Sequence, residues 1–325
     1  KDKTYDLGYP KFHSNKKKWF SLLYDEPNKG IRIENKHIRI SLGYKLDEKG
    51  KKIRLYVNGI LDEKIKVGNV KTYRITKELN KYYLIVTIEV SYKIKERKEN
   101  KIISIDPNHT NFFVGIDNEG KTIELGKLYL IKYFDKQIDE VKSKRDKCLK
   151  KSKTVTNENG TSYTVASKRY QRLDKALTKL YLKRKNQLKT ALFTIAHKLC
   201  DEYTHIVIGD YVPTPDLAKY HTMARAMLNQ SPIGQFRSIL QHVSAKRGCK
   251  FEIVDEAYTT MTCSVCGDVC RHEPNEREFI CSCCNTKLYR DINSAINIGV
   301  KAKVLSGSDY KGIDLSKPLY TANYN

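Results

Sequence analysis

The chain has 325 residues, 40% of them hydrophobic, which is enough core for two domains or one large domain with insertions and excludes a disordered tail. No apolar run reaches the roughly 18 residues that a membrane-spanning helix needs, so no membrane-spanning helix is expected in these residues. Sixty-one Lys and Arg against thirty-seven Asp and Glu leave a net charge of +24, which points to a polyanionic partner, nucleic acid foremost, with a merely lysine-rich surface as the plainer alternative. The chain opens on Lys1-Asp2-Lys3 without methionine or an apolar leader. It therefore reads as the C-terminal portion of an intracellular protein with no signal peptide.

Residues 1–98 carry short alternating runs such as Ile31-Arg32-Ile33, His37-Ile38-Arg39-Ile40, Ile53–Val57 and Tyr82–Ile88. Alternation with period two predicts antiparallel strands, with Gly30, Gly43, Gly50, Gly59 and Gly68 as turns. A small barrel or curled sheet with one basic face is expected. A charged linker, Lys95–Asn100, marks a domain boundary. Beyond it, Ile102-Ile103-Ser104-Ile105-Asp106 predicts a buried strand ending in a carboxylate, Phe112–Ile116 a second, and Ile123–Leu130 a third after the turn Asn118–Lys121.

Two basic helices follow, over 131–151 and 166–202, joined by a loop over 152–164. The longer one has an apolar stripe through Leu173, Leu177, Leu180, Leu188, Leu192, Ile195 and Leu199. Lys168, Arg169, Arg172, Lys175 and Lys179 lie largely off that stripe and are candidates for phosphate contact, against the plainer reading of a solvated face. A strand over Ile206–Asp210, a helix over Ser231–Arg247 stopped by Gly248, a strand over Phe251–Glu256 and a helix over Asp291–Val304 complete the pattern. The tail, 306–325, reads as loose.

Six of nine cysteines fall between Cys263 and Cys284. Cys263/Cys266 and Cys281/Cys284 form two CxxC pairs fourteen residues apart, the spacing of a closed, four-thiolate structural zinc site. Cys270, Cys283 and His272 leave the ligand assignment open. Asp106 and Glu256 stand at strand ends and Asp291 opens the last helix, where an N-cap is its plainer role. Carboxylates gathered at the carboxyl ends of strands can bind two magnesium ions for phosphodiester hydrolysis.

Ile103-Ser104-Ile105-Asp106-Pro107 resembles the first RuvC motif of the transposon-encoded TnpB nucleases and their eukaryotic and viral relatives, the Fanzor proteins. The segment Tyr258–Gly267 resembles the family's lead into its zinc loop. Arg277–Cys281 and Tyr289–Ile298 resemble its exit and third RuvC motif. More loosely, Pro10-Lys11-Phe12 and the strands after it resemble the family's wedge domain. The resemblance implies an α/β, RNase H-like (RuvC) domain over 99–305 with a zinc ribbon inserted at 258–289, preceded by a mostly β, barrel-like wedge domain. It further implies an RNA-guided, Mg-dependent DNA endonuclease with guide RNA and target DNA as partners, no membrane partner, and a nuclear or cytoplasmic location according to host. Asp106, Glu256 and Asp291 would be the catalytic magnesium ligands, and Cys263, Cys266, Cys281 and Cys284 the zinc ligands.

Two departures stand out. The first motif has Asn108 where the family has glycine, and Gly209 stands where the family's second motif has glutamate. Fanzor proteins and some TnpB relatives resemble one another in carrying that glutamate just before the zinc loop, where Glu256 stands. Asp210 is a competing substitute, although neighbouring side chains on a strand face opposite ways. A nuclease-dead, RNA-guided repressor is the alternative that Gly209 motivates, and an unguided zinc-ribbon binder is a third reading.

Overall fold

The structure is a computed structural model that describes residues 21–64, 68–78, 81–91, 100–108, 111–212, 231–271, 276–310 and 313–322. Pro10–Phe12, His272 and most of the expected linker at 95–100 lie outside the described residues. The chain divides into two compact units, Lys1–Tyr92 and Lys93–Asn325.

In the first unit β1 (Leu22–Tyr24), α1 (Pro27–Gly30), β2 (Ile31–Glu34), β3 (His37–Leu46), β4 (Lys52–Ile60), β5 (Asn69–Glu78) and β6 (Lys81–Glu89) follow one another. They form two antiparallel three-stranded sheets, β1-β5-β6 and β2-β3-β4, in place of the one small barrel or curled sheet expected. Ile31 and Ile38 of one sheet share a small core with Tyr73 and Ile75 of the other. Gly43, at φ +91, sits at a bulge in β3 between Ser41 and Tyr44. Gly59 lies inside β4 instead of a turn, because any side chain there would press on Ile38 across the sheet.

The second unit is built on a six-stranded mixed sheet. Its strands are β7 (Ile102–Pro107), β8 (Phe113–Asp117), β9 (Thr122–Leu125), β12 (His205–Gly209), β13 (Lys250–Val254) and β16 (Tyr320–Ala322), in the order β13-β12-β7-β8-β9-β16. β12 runs parallel to both β7 and β13, while β8 is antiparallel to β7 and to β9. β7, β8 and β12 are buried throughout, as apolar runs covered on both faces must be. Period two splits the faces. Ile103, Ile105, Ile206 and Ile208 pack on α3 (Lys168–Glu202) and α4 (Ile233–Arg247). Ile102, Val114 and Ile116 pack on α5 (Arg290–Lys301) and the cysteine loop.

The helices are placed by local chemistry. The Ser167 hydroxyl accepts from Tyr170 N at 3.1 Å and caps α3. α4 ends where Gly248 turns left-handed at φ +72. α2 (Tyr129–Lys150) packs on α3 through Phe134, Ile138 and Leu177. The stretch expected as a loop over 152–164 is instead a hairpin, β10 (Lys153–Thr156) against β11 (Ser162–Val165), turning at Gly160. Its alternating Thr, Val and Tyr residues favour strands, whereas Asn157–Gly160 is only the turn. β9 stops at Leu125, short of the expected Leu130, because Leu128 already stands at the N-cap position of α2. The described residues of the tail are not loose: Tyr310 and Leu315 are buried in the core under α5, and β16 pairs with β9 as the sixth strand.

Candidate active site and metal cluster

Asp106 lies on β7 on the same face as Ile102 and Ser104, and it is only 4% exposed. The pairing of Ile208 with Ile105 sets Gly209 of β12 beside Asp106 at the carboxyl ends of two parallel strands. Glu256 stands two residues beyond the end of β13, not within it as expected. Its chain reaches back over β12. A Cβ built on Gly209 would lie 2.8 Å from Glu256 Cδ and 2.9 Å from its Cγ. The Glu256 side chain therefore occupies the space that a side chain at residue 209 would need. Tyr211 N donates to Glu256 Oε1 at 2.8 Å and fixes the carboxylate there. Asp210, the competing acid, is exposed, and its Oδ1 accepts from Glu256 N at 3.1 Å. It props the turn that carries Glu256.

Asp291 is 1% exposed and belongs to the first turn of α5. It is not the N-cap: Tyr289 holds that position and makes no side-chain cap bond. Its Oδ1 accepts from Arg290 Nε at 3.1 Å and Nη2 at 2.9 Å, and its Oδ2 from Arg277 Nη1 at 2.9 Å and Asn108 Nδ2 at 3.3 Å. Asn108, the departure in the first motif, thus bonds to the third carboxylate.

Asp106 feels the other two acids. Burial, then the charges of Asp291 and Glu256, push the Asp106 carboxyl well above the usual range, against a 2.9 Å bond from Ser294 Oγ. Burial raises Glu256 to about 7, partly offset by the Tyr211 amide. Buried carboxylates of like charge ask for protons or for hard cations between them. The three are less tightly gathered than the thiolates described next. Among the described residues, the sets of metal-binding side chains with all ligand atoms within 4.8 Å are the four cysteines and an overlapping group, Asp268, Cys270 and Cys281. Two ions about 3.5–4 Å apart need a wider ligand set than one ion does.

Cys263 Sγ stands 3.7 Å from Cys284 Sγ, and Cys266 Sγ 3.5 Å from Cys281 Sγ. A tetrahedral ion with metal–sulfur bonds of about 2.3 Å sets its sulfurs about 3.8 Å apart. Both pairs use the same turn. Gly267 N donates to Cys263 O at 2.9 Å and Asn285 N to Cys281 O at 3.0 Å, and Gly267 and Asn285 are both left-handed, at φ +79 and +56. A hairpin, β14 (Glu278–Ile280) with β15 (Lys287–Tyr289), flanks the second pair. Burial pushes the Cys263 thiol up to about 12, while the Thr286 hydroxyl draws Cys284 down to about 6. Cys270 Sγ, 3.9 Å from Cys281 Sγ, is a fifth thiol outside the four. These four cysteines can hold a metal ion.

Lys168, Arg169, Arg172, Lys175 and Lys179 are all exposed along the first half of α3. Sequence reasoning missed the hydrogen bonds of Arg277, Arg290 and Ser294. Only the first two carried a signal, as basic residues beside a helix that opens on an acid.

Residues 84–212 match a family model described as "Probable transposase" (OrfB_IS605), and 234–298 match one described as "Cas12f1-like, TNB domain". Similar proteins include TnpB-like proteins L770 and L79 of Acanthamoeba polyphaga mimivirus, 27% identical over 238 residues and 28% over 236. These alignments cover 72% and 71% of this chain, which spans 43% of either relative's length. Among solved structures, that of the Cas12f1-sgRNA-target DNA complex is similar in fold, with a TM-score of 0.51 at 15% identity over 86% of this chain and 63% of that one. Two family-model matches follow one another along the chain, and the viral relatives agree with them, so the chain is similar to TnpB-family proteins over most of its length.

Proposed function

We propose that this chain carries the catalytic site of an RNA-guided, magnesium-dependent DNA endonuclease of the TnpB type, with its RuvC glutamate displaced to Glu256 as in Fanzor proteins. The observation that carries the reading is the Glu256 side chain filling the space beside Gly209, so that Asp106 is flanked by two further acids. On this reading Glu256 stands in for the missing glutamate, and its position beside Gly209 disfavours the nuclease-dead repressor. The charges of Glu256 and Asp291 bearing on Asp106 disfavour the unguided binder, which needs the acids scattered.

Asp106, Glu256 and Asp291 are oxygen donors at one end of the sheet, a donor set that fits magnesium. Magnesium bound there supplies an activated water and stabilises the leaving oxygen of a phosphodiester. The chain's own residues do the rest. Asp106 and Glu256 provide negative charge that burial leaves underscreened. Arg290 holds Asp291 in place. Arg277, with 37% of its side chain exposed, stands at the rim, where a phosphate would meet it. Zinc in the four-cysteine site would stiffen the loop between Glu256 and Asp291. The exposed bases of α3 would track a nucleic-acid backbone. Guide RNA and target DNA, named for the Cas12f1 complex of similar fold, are the proposed partners, with base pairing supplying sequence recognition.

The test is cleavage of target DNA by the protein purified with its co-purifying RNA. Cutting is expected to require Mg²⁺ and to disappear in Asp106→Ala and Glu256→Ala with DNA binding retained. Unchanged cutting in Glu256→Ala defeats the glutamate assignment, and tight binding without cutting in the unaltered protein favours the repressor.

A further inference from the structure

Asp106, Glu256 and Asp291 come from three segments far apart in sequence, and a polar seam buried between them joins all three. Ser294 is 0% exposed and Thr259 1%. Ser294 lies one turn after Asp291 on α5, so both side chains share a face. Its Oγ donates to Asp106 Oδ1 at 2.9 Å and lies 3.0 Å from Thr259 Oγ1. Thr259 stands three residues after Glu256 and holds it from behind, its Oγ1 donating to Glu256 O at 2.9 Å and its N to the same oxygen at 3.1 Å. Ser104 Oγ on β7 also donates to Ala295 O at 2.6 Å, fixing α5 against the strand that carries Asp106.

The seam continues toward the cysteines. Asn297 Nδ2 donates to Thr259 O at 2.8 Å and to Thr262 O at 2.6 Å. Asn293 Nδ2 donates to Thr262 O at 2.8 Å, and its Oδ1 accepts from Ser264 N at 2.9 Å, next to Cys263. One face of α5 thereby binds the segment 259–264, which runs from the glutamate turn into the metal cluster. A hydroxyl has one proton, so Ser294 and Thr259 supply two protons for three close contacts and at most two of these are hydrogen bonds donated by them at a time; the bond to an ionised Asp106 is the charge-assisted one.

We propose that Ser294 and Thr259 are positioning residues: a buried hydroxyl clamp that holds the Asp106, Glu256 and Asp291 segments in register for divalent-cation binding, with Asn293 and Asn297 extending it to the metal loop. This rests on the carboxylate site proposed above. Side chains that orient metal-binding residues without touching the ion change metal affinity by about 10- to 100-fold when removed. The hydrogen bond from Ser294 to Asp106 is of that kind.

The test uses the full chain with Mn²⁺ as the probe, its binding followed by the loss of the free-ion paramagnetic resonance signal. Asp106→Ala should abolish specific binding. Ser294→Ala and the near-isosteric Thr259→Val should each weaken it by about tenfold or more, while zinc content is unchanged and the melting temperature stays within a few degrees. Ser294→Thr and Thr259→Ser, which keep the hydroxyls, should restore it. If Asp106→Ala abolishes binding but both hydroxyl deletions bind Mn²⁺ as the parent does, the clamp is overturned and the carboxylate site stands. If Asp106→Ala also leaves binding unchanged, the carboxylate site itself is wrong. Should Ser294→Ala fail to fold, Thr259→Val and its serine counterpart decide the matter alone.

Discussion

At the residue scale the decisive feature is a side chain that is missing. Gly209 leaves room that Glu256 fills, so restoring even a methyl group there would drive the Glu256 Cγ and Cδ atoms away from closer than 3 Å. Gly209→Ala is expected to lower cleavage at least as severely as Glu256→Gln while costing about 1–3 kcal/mol of stability as an overpacking change. Activity and thermal unfolding measured side by side check this. Glu256 also gives a pH signature. Its carboxyl titrates near 7 when folded and near 4.3 when unfolded, so the native state binds the proton more tightly. That contribution to stability is complete below about pH 4.3 and is lost as pH rises through 7. In chelator-treated protein the melting temperature should fall between pH 5 and 8, Asp106 acting in the same direction. Glu256→Gln should remove a part on the order of 2 kcal/mol, after allowance for partial exposure. A melting temperature equally pH-dependent in both proteins would contradict the burial of that carboxyl.

At the element scale the metal loop and the tail carry the predictions. Two matching turns and one flanking hairpin bury Phe279 and Leu288 but make few regular backbone pairs of their own, so a bound ion would add to the order of the loop. Metal analysis should return about one zinc per chain. Cys263→Ser should abolish it and increase hydrogen exchange across 258–289, whereas Cys270→Ser should leave it in place, because Cys270 lies outside the four-sulfur set. The tail predicts differently from its sequence. Leu315, buried under α5, should cost about 2–5 kcal/mol on truncation to alanine, read from denaturant unfolding, where a loose tail would cost nothing. On α3, neutralising Arg169, Arg172 and Lys175 should lower the slope of log affinity against log salt by about 0.9 for each phosphate that is no longer paired on duplex DNA.

At the scale of the whole molecule, the chain divides into two compact units, each with a hydrophobic core of its own. A chain restricted to 93–325 should unfold in one cooperative transition and keep the zinc and Mn²⁺ stoichiometry of the parent, as calorimetry and metal titration would report. Loss of both metals from that shortened chain would mean that the second unit does not fold by itself.

Period-two runs and apolar stripes are local properties, and they alone determined the central strands β7, β8 and β12, the long helix α3 and the fourfold cysteine spacing. The same locality made Asp106 legible as a strand-end acid. Folding back was not legible. The hairpin β10–β11 and the return of β16 to the sheet edge depend on pairing partners that no short window contains. That Glu256 reaches across β12 into the vacancy at Gly209, that Asp210 turns outward to hold its backbone, and that Arg277, Arg290 and Asn108 converge on Asp291 were decided only by tertiary structure. A carboxylate's role is set by which charges and donors lie within a few ångströms, and that distance is measured through space, not along the chain.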